Sequence, residues 1–390
     1  TASIAGDIRY NEDPLTGNEV KNLYSDNEDV SMNSDAQLAS VMHRNDFAGT
    51  WPTTRTADEH KVGSSVNGFS ITTDWINKMK DYSANPNNPL VNATDTVMPI
   101  VGADNGIKFT DVVGLDPYDN VTLVTGDHPC AGKTHAEAWD MFMDQLTKDE
   151  MKDLINKGAF KTNAISRLGV PPTDNTDGPV GWVNFMDRVT FNGTCSYCCE
   201  VVVASTWNVD RVYDMGRAVG NEGLVGSQNT GRPYTGWYAP GLNIHRSPFG
   251  GRNFEYYSED PFLSGIYAAS ISKGTWSKGC YTSLKHFAVN ETETHRSSNG
   301  LLTWIDEQNL RENYLKGFEI AVKGGNNDLN THSYFGDEKA VKPLSIMTSF
   351  NRIGERWTGG DYRLNTTILR DEWGFRGYLV CDFNTCGHMV

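Results

Sequence analysis

Apolar residues are unevenly distributed along the chain, and the change falls near residue 135. Before it, Asn, Asp, Thr, Ser and Gly dominate and apolar runs are as short as Val121–Val124, which predicts an irregular connecting segment over 1–134 rather than an independent core. From His135 the spacing becomes helical. Trp139, Phe142, Met143 and Leu146 share one face, and Thr147-Lys148-Asp149-Glu150 has the form of a capping box that opens a second helix through Met151, Leu154 and Ile155 to Gly158. Short apolar runs then alternate with helical patterns: strands are predicted over 201–207, 237–244, 281–289, 345–350 and 378–383, with helices from 209, over 263–278 and over 306–323. Strand followed by helix, repeated, predicts an α/β fold with a mostly parallel sheet. The number of units predicts a TIM-like (β/α)8 barrel over 135–390. The last strand lies close to Val390, so the barrel is expected to be incomplete at its C-terminus.

Composition narrows the partners. With 49 acidic against 34 basic residues the net charge is −15, which disfavours nucleic acid or an anionic membrane surface and suits a neutral ligand. No apolar run approaches a membrane span, so no membrane partner is expected. Seven cysteines, an odd number with two adjacent, do not form a disulfide framework and point to a reducing, cytoplasmic compartment. The chain starts at Thr1 with neither an initiator Met nor a basic-then-apolar signal segment. The chain reads as a piece of something longer.

Candidate chemistry lies where strands end, because loops there project from a rigid scaffold and converge on one pocket. The stretch Cys280–Arg296 is central: an apolar run turns abruptly polar at Lys285 and His286, followed by Asn290, Glu291, Glu293, His295 and Arg296. Density of polar groups favours a site there over a surface lysine beside a core histidine. A metal held by His286, Glu293 and His295 matches no established ligand spacing and ranks well below hydroxyl binding; no cofactor is expected. In Asn175-Thr176-Asp177-Gly178-Pro179 the aspartate, taken alone, reads as a turn former. The loop from Arg246 to Pro261 is equally a solvated loop or a pocket wall in which Arg252 forks onto ligand hydroxyls and is held by a carboxylate. Asp382 closes an apolar strand and is either a helix cap or a nucleophile.

Taken together and in order, four motifs resemble glycoside hydrolase family 3. They are Asp177-Gly178-Pro179, the loop Gly251-Arg252-x-x-Glu255 to Glu259-Asp260-Pro261, Lys285-His286-Phe287 with Asn290, Glu293 and Arg296, and the Asp382 strand. The resemblance implies a retaining, exo-acting β-glycosidase acting on a β-linked glycoside, with Asp382 as nucleophile. It implies that Asp177, Arg252, Lys285, His286 and Arg296 hold the terminal sugar and that Met347 and Phe350 form its wall. The loop Phe287-Ala288-Val289-Asn290 lacks the proton-donor pattern of the hexosaminidase branch. A β-glucosidase is therefore expected, with a β-xylosidase or a non-catalytic sugar-binding relative as alternatives and a metal-dependent hydrolase as a third. The acid/base glutamate is expected on an α/β sandwich domain outside this chain. Phe383, where a tryptophan is common, Phe350, where a tyrosine is common, and apolar residues around Val183, where an arginine is common, depart from the family pattern.

Overall fold

The structure is a computed structural model, and it describes residues 12–13, 16–21, 23–24 and 99–382 except 118, 159, 184–193, 227–230, 295, 297–300, 306, 325–344 and 355. Both N-terminal helical predictions hold. Helix α1 (His135–Met143) begins at a Thr134/Glu137 capping box and α2 (Lys148–Asn156) at the expected Thr147/Glu150 box, each satisfying two otherwise unpaired amides at the first turn. They belong to a small apolar cluster in which Ile107, Val112, Val124 and Cys130 pack with Ala138, Phe142, Leu146, Ile165 and Leu168.

The main sheet is α/β in character. Strands β1 (Lys161–Thr162), β2 (Thr173–Asp177), β3 (Tyr234–Tyr238) and β4 (Tyr281–Phe287) are joined in it by β6 (Ser345–Thr348) and β9 (Tyr378–Cys381). The spatial order is β1-β2-β3-β4-β6-β9, with β1 antiparallel to β2 and every other pair parallel. A second, three-stranded sheet pairs β5 (Leu302–Thr303), β7 (Arg352–Ile353) and β8 (Arg356–Trp357). Parallel strands place their C-terminal ends on one edge, which is where the chain after Asp177, Phe287 and Cys381 emerges.

Two readings of the sequence are corrected. The run 201–207 is not a strand: Glu200–Ala204 forms a short helix, α3. Its β-branched residues misled because a short apolar run does not distinguish strand from helix; Glu200, Val203 and Ala204 face inward while Val201 and Val202 are exposed. Conversely Asn175-Thr176-Asp177, which reads as part of a turn, closes strand β2, Thr-Asp-Asn-Thr-Asp. Its polar side chains are buried because tertiary partners satisfy them: Asp174 takes a bidentate contact from Arg232 (2.7 and 3.2 Å) and Thr176 Oγ1 donates to the Val183 carbonyl (3.0 Å). Such pairing overrides low strand propensity.

Helix α4 (Val209–Val225) and α5 (Pro261–Trp276) lie against each other at glycines. A Cβ on Gly216 would come within 2.4 Å of the Ile271 carbonyl oxygen, and one on Gly274 within 2.3 Å of that of Tyr213, so the close approach requires glycine at both positions. Helix α5 starts with Asp260 as cap and Pro261 at its first position, as its geometry favours.

The described residues between 12 and 24 are bound to this body by charge. Lys323, at the end of helix α6 (Lys316–Val322), is 2% exposed and pairs with Asp13, 4% exposed, and with Glu319 at 2.6 Å. The amides of Leu23 and Tyr24 donate to Glu307 (3.1 and 2.7 Å), whose other oxygen meets Arg311 at 2.6 Å, and Arg311 also reaches Glu372 at 2.7 Å. Tyr24 is fully buried beneath the Arg363 guanidinium, 4.2 Å from its ring centre. Removing one member of such a buried group leaves an uncompensated charge. Lys323→Met removes the ammonium that Asp13 and Glu319 share and leaves Glu319 with Lys316 at 2.6 Å, and chemical denaturation is expected to show a loss of about 3 kcal/mol; a loss under about 1 kcal/mol would mean that the pairing is energetically idle.

Candidate active site

Strand β4 anchors the site. Leu284 and Phe287 are fully buried in the core, with Phe287 packing edge-on to Phe318 (5.1 Å between ring centres) and Trp373 (6.1 Å); burial of one such ring contributes roughly 2–3 kcal/mol. Between them, Lys285 and His286 turn towards the strand ends. Lys285, 2% exposed, reaches Asp177 Oδ1 at 2.7 Å and Glu255 Oε2 at 3.8 Å. Burial works against its charge, but Asp177 and then Glu255 outweigh that penalty and its pKa is raised overall, so it is an ammonium.

From Lys285 the ion pairs continue. Glu255, 3% exposed, also binds Arg252 Nε. Arg252 lies 3.7 Å from Glu293. Glu293 meets Arg296 Nε at 2.8 Å, and Arg296 lies 3.3 Å from Asp382 Oδ2. The result is a sequence of alternating charge, Asp177, Lys285, Glu255, Arg252, Glu293, Arg296, Asp382: four carboxylates against three cations. Arg296 is further fixed by the face of Phe350, 4.3 Å from ring centre to guanidinium carbon.

His286 adds no charge to this set. Burial, followed by the fields of Arg252, Lys285 and Arg296, pulls its pKa well below the ordinary value. Its Nε2 lies 3.7 Å from Asp382 Oδ2 and its Nδ1 3.4 Å from the Tyr256 hydroxyl. That hydroxyl accepts from Asn290 Nδ2 (3.0 Å), which also donates to Glu293 (3.0 Å). A neutral imidazole, a phenol and an amide thus line the site between the charged groups.

Of the residues singled out in the sequence, Asp177, Arg252, Lys285, His286, Arg296, Phe350 and Asp382 are brought together. Met347 is buried in β6, paired in register with Val380 beside Asp382's strand. His295 and Phe383 lie outside the described residues. Among the described residues Arg296 is a cation paired with Asp382, while Lys285 and Arg252 pair with Asp177, Glu255 and Glu293. Glu255 and Glu293 were visible in the motifs as residues but not as links between cations. Tyr256 and Asn243 carried less signal: Asn243 is a lone polar residue in an apolar run, and Tyr256 is one aromatic among several.

The profile described as the N-terminal domain of glycosyl hydrolase family 3 matches residues 141–390. The chain belongs to glycoside hydrolase family 3. Over 249 residues it is 36% identical to beta-glucosidase A of Butyrivibrio fibrisolvens, covering 62% of this chain and 27% of that protein. A beta-glucosidase of Rhizobium radiobacter is 36% identical over 247 residues, covering 63% and 27%. A novel beta-glucosidase from Paenibacillus barengoltzii of known crystal structure is similar over 74% of this chain and 27% of its own, with 30% identity and a TM-score of 0.57. The chain spans about a quarter of the length of the curated relatives it matches. Among the described residues of this family 3 chain, no helix is long and apolar enough to cross a membrane.

Two further carboxyls lie close behind the charged set. Glu200, 2% exposed, accepts the Gly241 amide at 2.9 Å, and burial raises its pKa well above the ordinary value. Glu291 follows β4; as a residue it is partly exposed, but its carboxyl turns inward, and burial raises it from 4.5 to about 7. Between those values the folded protein keeps a proton that the unfolded chain has released, so stability falls as pH rises through this window. Denaturation at pH 5 and pH 8 is expected to show the parent losing up to about 3 kcal/mol relative to Glu291→Gln, which cannot titrate. Parallel pH profiles for the two proteins would place Glu291 at an ordinary pKa.

Proposed function

We propose that this chain carries the nucleophile and most of the sugar-binding groups of a retaining, exo-acting β-glucosidase. The observation that carries the reading is the alternating charge sequence that ends at Asp382 on the C-terminal edge of the sheet. A sugar hydroxyl both donates and accepts a hydrogen bond, so a wall of alternating fixed cations and carboxylates can engage several hydroxyls of a neutral pyranose at once. Glucose, rather than another sugar, is inferred from the names of the relatives. The strands described here are proposed to belong to a TIM-like barrel, a reading supported by their parallel order and by the gathering of polar groups at their C-terminal ends.

In the proposed reaction a carboxylate oxygen of Asp382 attacks the anomeric carbon and forms a glycosyl-aspartate ester as the bond to the leaving oxygen breaks. A carboxylic acid about 5 Å away gives that oxygen its proton, and the same group then takes a proton from the water that cleaves the ester. We assign this acid/base to a segment outside the described residues, in a second domain of the longer protein, since every carboxylate in the charge sequence is held by a cation. Positive charge develops on the sugar in the transition state. The single excess of negative charge in the site favours it, while Lys285, Arg252 and Arg296 hold the carboxylates in place.

A mechanism-based 2-fluoro-glucoside tests the reading directly. Incubated with the full-length protein, it is expected to label the peptide containing Asp382, and Asp382→Ala is expected to lower kcat on an aryl β-glucoside by at least ~10³-fold. A label on another residue would reassign the nucleophile, and sugar binding with no label and no turnover would leave a binding protein.

A further inference from the structure

The segment that continues β3, residues 239–244, bears no group of the charge sequence yet is tightly held. Its backbone runs beside the end of β4: the Lys285 amide donates to the Pro240 carbonyl (3.0 Å) and the Leu242 amide to the Lys285 carbonyl (2.6 Å). One residue further the pattern changes. The ladder between β4 and β6 is interrupted between Leu284 and Phe287, and the peptide groups of His286 are met by a side chain. Asn243, fully buried, accepts the His286 amide on Oδ1 (2.8 Å) and donates from Nδ2 to the His286 carbonyl (3.1 Å).

Its second N–H goes to Glu291 Oε1 at 3.2 Å, and the same oxygen accepts the Ile244 amide at 3.3 Å. Each role is fixed by its partner: an amide proton needs an acceptor and a carbonyl needs a donor, and the carboxamide in this orientation serves His286 on both sides. Arg246, bound to Thr292 Oγ1 at 2.9 Å, and Tyr314 are the charged and titratable groups that face the Glu291 carboxyl.

We infer that Glu291 and Asn243 are positioning residues, which fix the backbone of His286 and thereby the direction of the Lys285 and His286 side chains at the reacting centre. Neither touches the charge sequence. Glu291 orients the Asn243 carboxamide, and the carboxamide holds the strand end where the sheet does not. The inference rests on the proposed glycosidase for its kinetic consequence but not for its structural one. Displacing a binding group by an ångström can cost on the order of 10²-fold in rate, so the effect belongs in kcat more than in KM.

The test compares full-length parent, Glu291→Gln and Glu291→Leu by hydrogen exchange of peptides covering 281–290 and by kinetics on an aryl β-glucoside. Glutamine keeps the acceptor, and it is expected to retain parental exchange at His286 with kcat within about threefold of the parent. Leucine removes the acceptor; it is expected to speed exchange at 284–287 selectively and to lower kcat about 10- to 100-fold with little change in KM. Exchange in the leucine variant equal to the parent's overturns the inference, as does a glutamine variant as impaired as leucine. If leucine prevents folding, the glutamine comparison and Asn243→Asp, which sets an acceptor against the His286 carbonyl and is expected to speed the same exchange, decide it. A parent inactive on β-glucosides, with the expected exchange pattern, would refute the glycosidase reading and leave the positioning role standing.

Discussion

The structure of the site depends on one constraint: charges taken out of water at the strand ends must each find an opposite charge. Lys285 cannot remain an ammonium at 2% exposure without Asp177 and Glu255. Glu255, buried in turn, needs Arg252. The requirement passes along the loop after β3, across to the loop after β4, and ends at Asp382 after β9. Each loop therefore has its conformation fixed by a partner on another loop, and the strands set how far apart those partners stand.

This interdependence explains the division of labour within β4. Leu284 and Phe287 commit the strand to the core, so that the apolar residues hold the strand while Lys285 and His286 are left for the site. The apolar contacts are non-directional and tolerate small shifts; the ion pairs do not. A site of this kind is costly to bury and contributes little to stability, yet its groups are already oriented, so that in the proposed reaction little reorganisation would be needed when charge develops.

How much of this was legible in the sequence differs by element. The change from apolar to polar at Lys285 and His286 is local, so it was readable, as were the capping boxes at Thr134 and Thr147, whose partners lie three residues away. The strand character of β2 was not, because nothing near Asp174 announces Arg232 as its counter-ion, nearly sixty residues on. Helix α3 was misread for a local reason, since a short apolar run reads alike as strand or helix, and the partner of its buried Glu200, the Gly241 amide, lies far along the chain. Motif order named most of the gathered residues, but which cation serves which carboxylate is a property of three loops meeting.

The neutrality of His286 follows from the same constraint and has a consequence for the proposed chemistry. An imidazole 3.7 Å from a carboxylate would ordinarily tend to take a proton from solvent. Here burial and three neighbouring cations oppose it, and those cations are themselves held in place by Asp177, Glu255 and Glu293. Were His286 protonated, the excess of one negative charge in the site would vanish, and with it the net field that favours a cationic sugar. In the proposed reaction the carboxylates that fix the cations would orient the groups that hold the sugar, while burial and those cations keep His286 from cancelling the charge on Asp382.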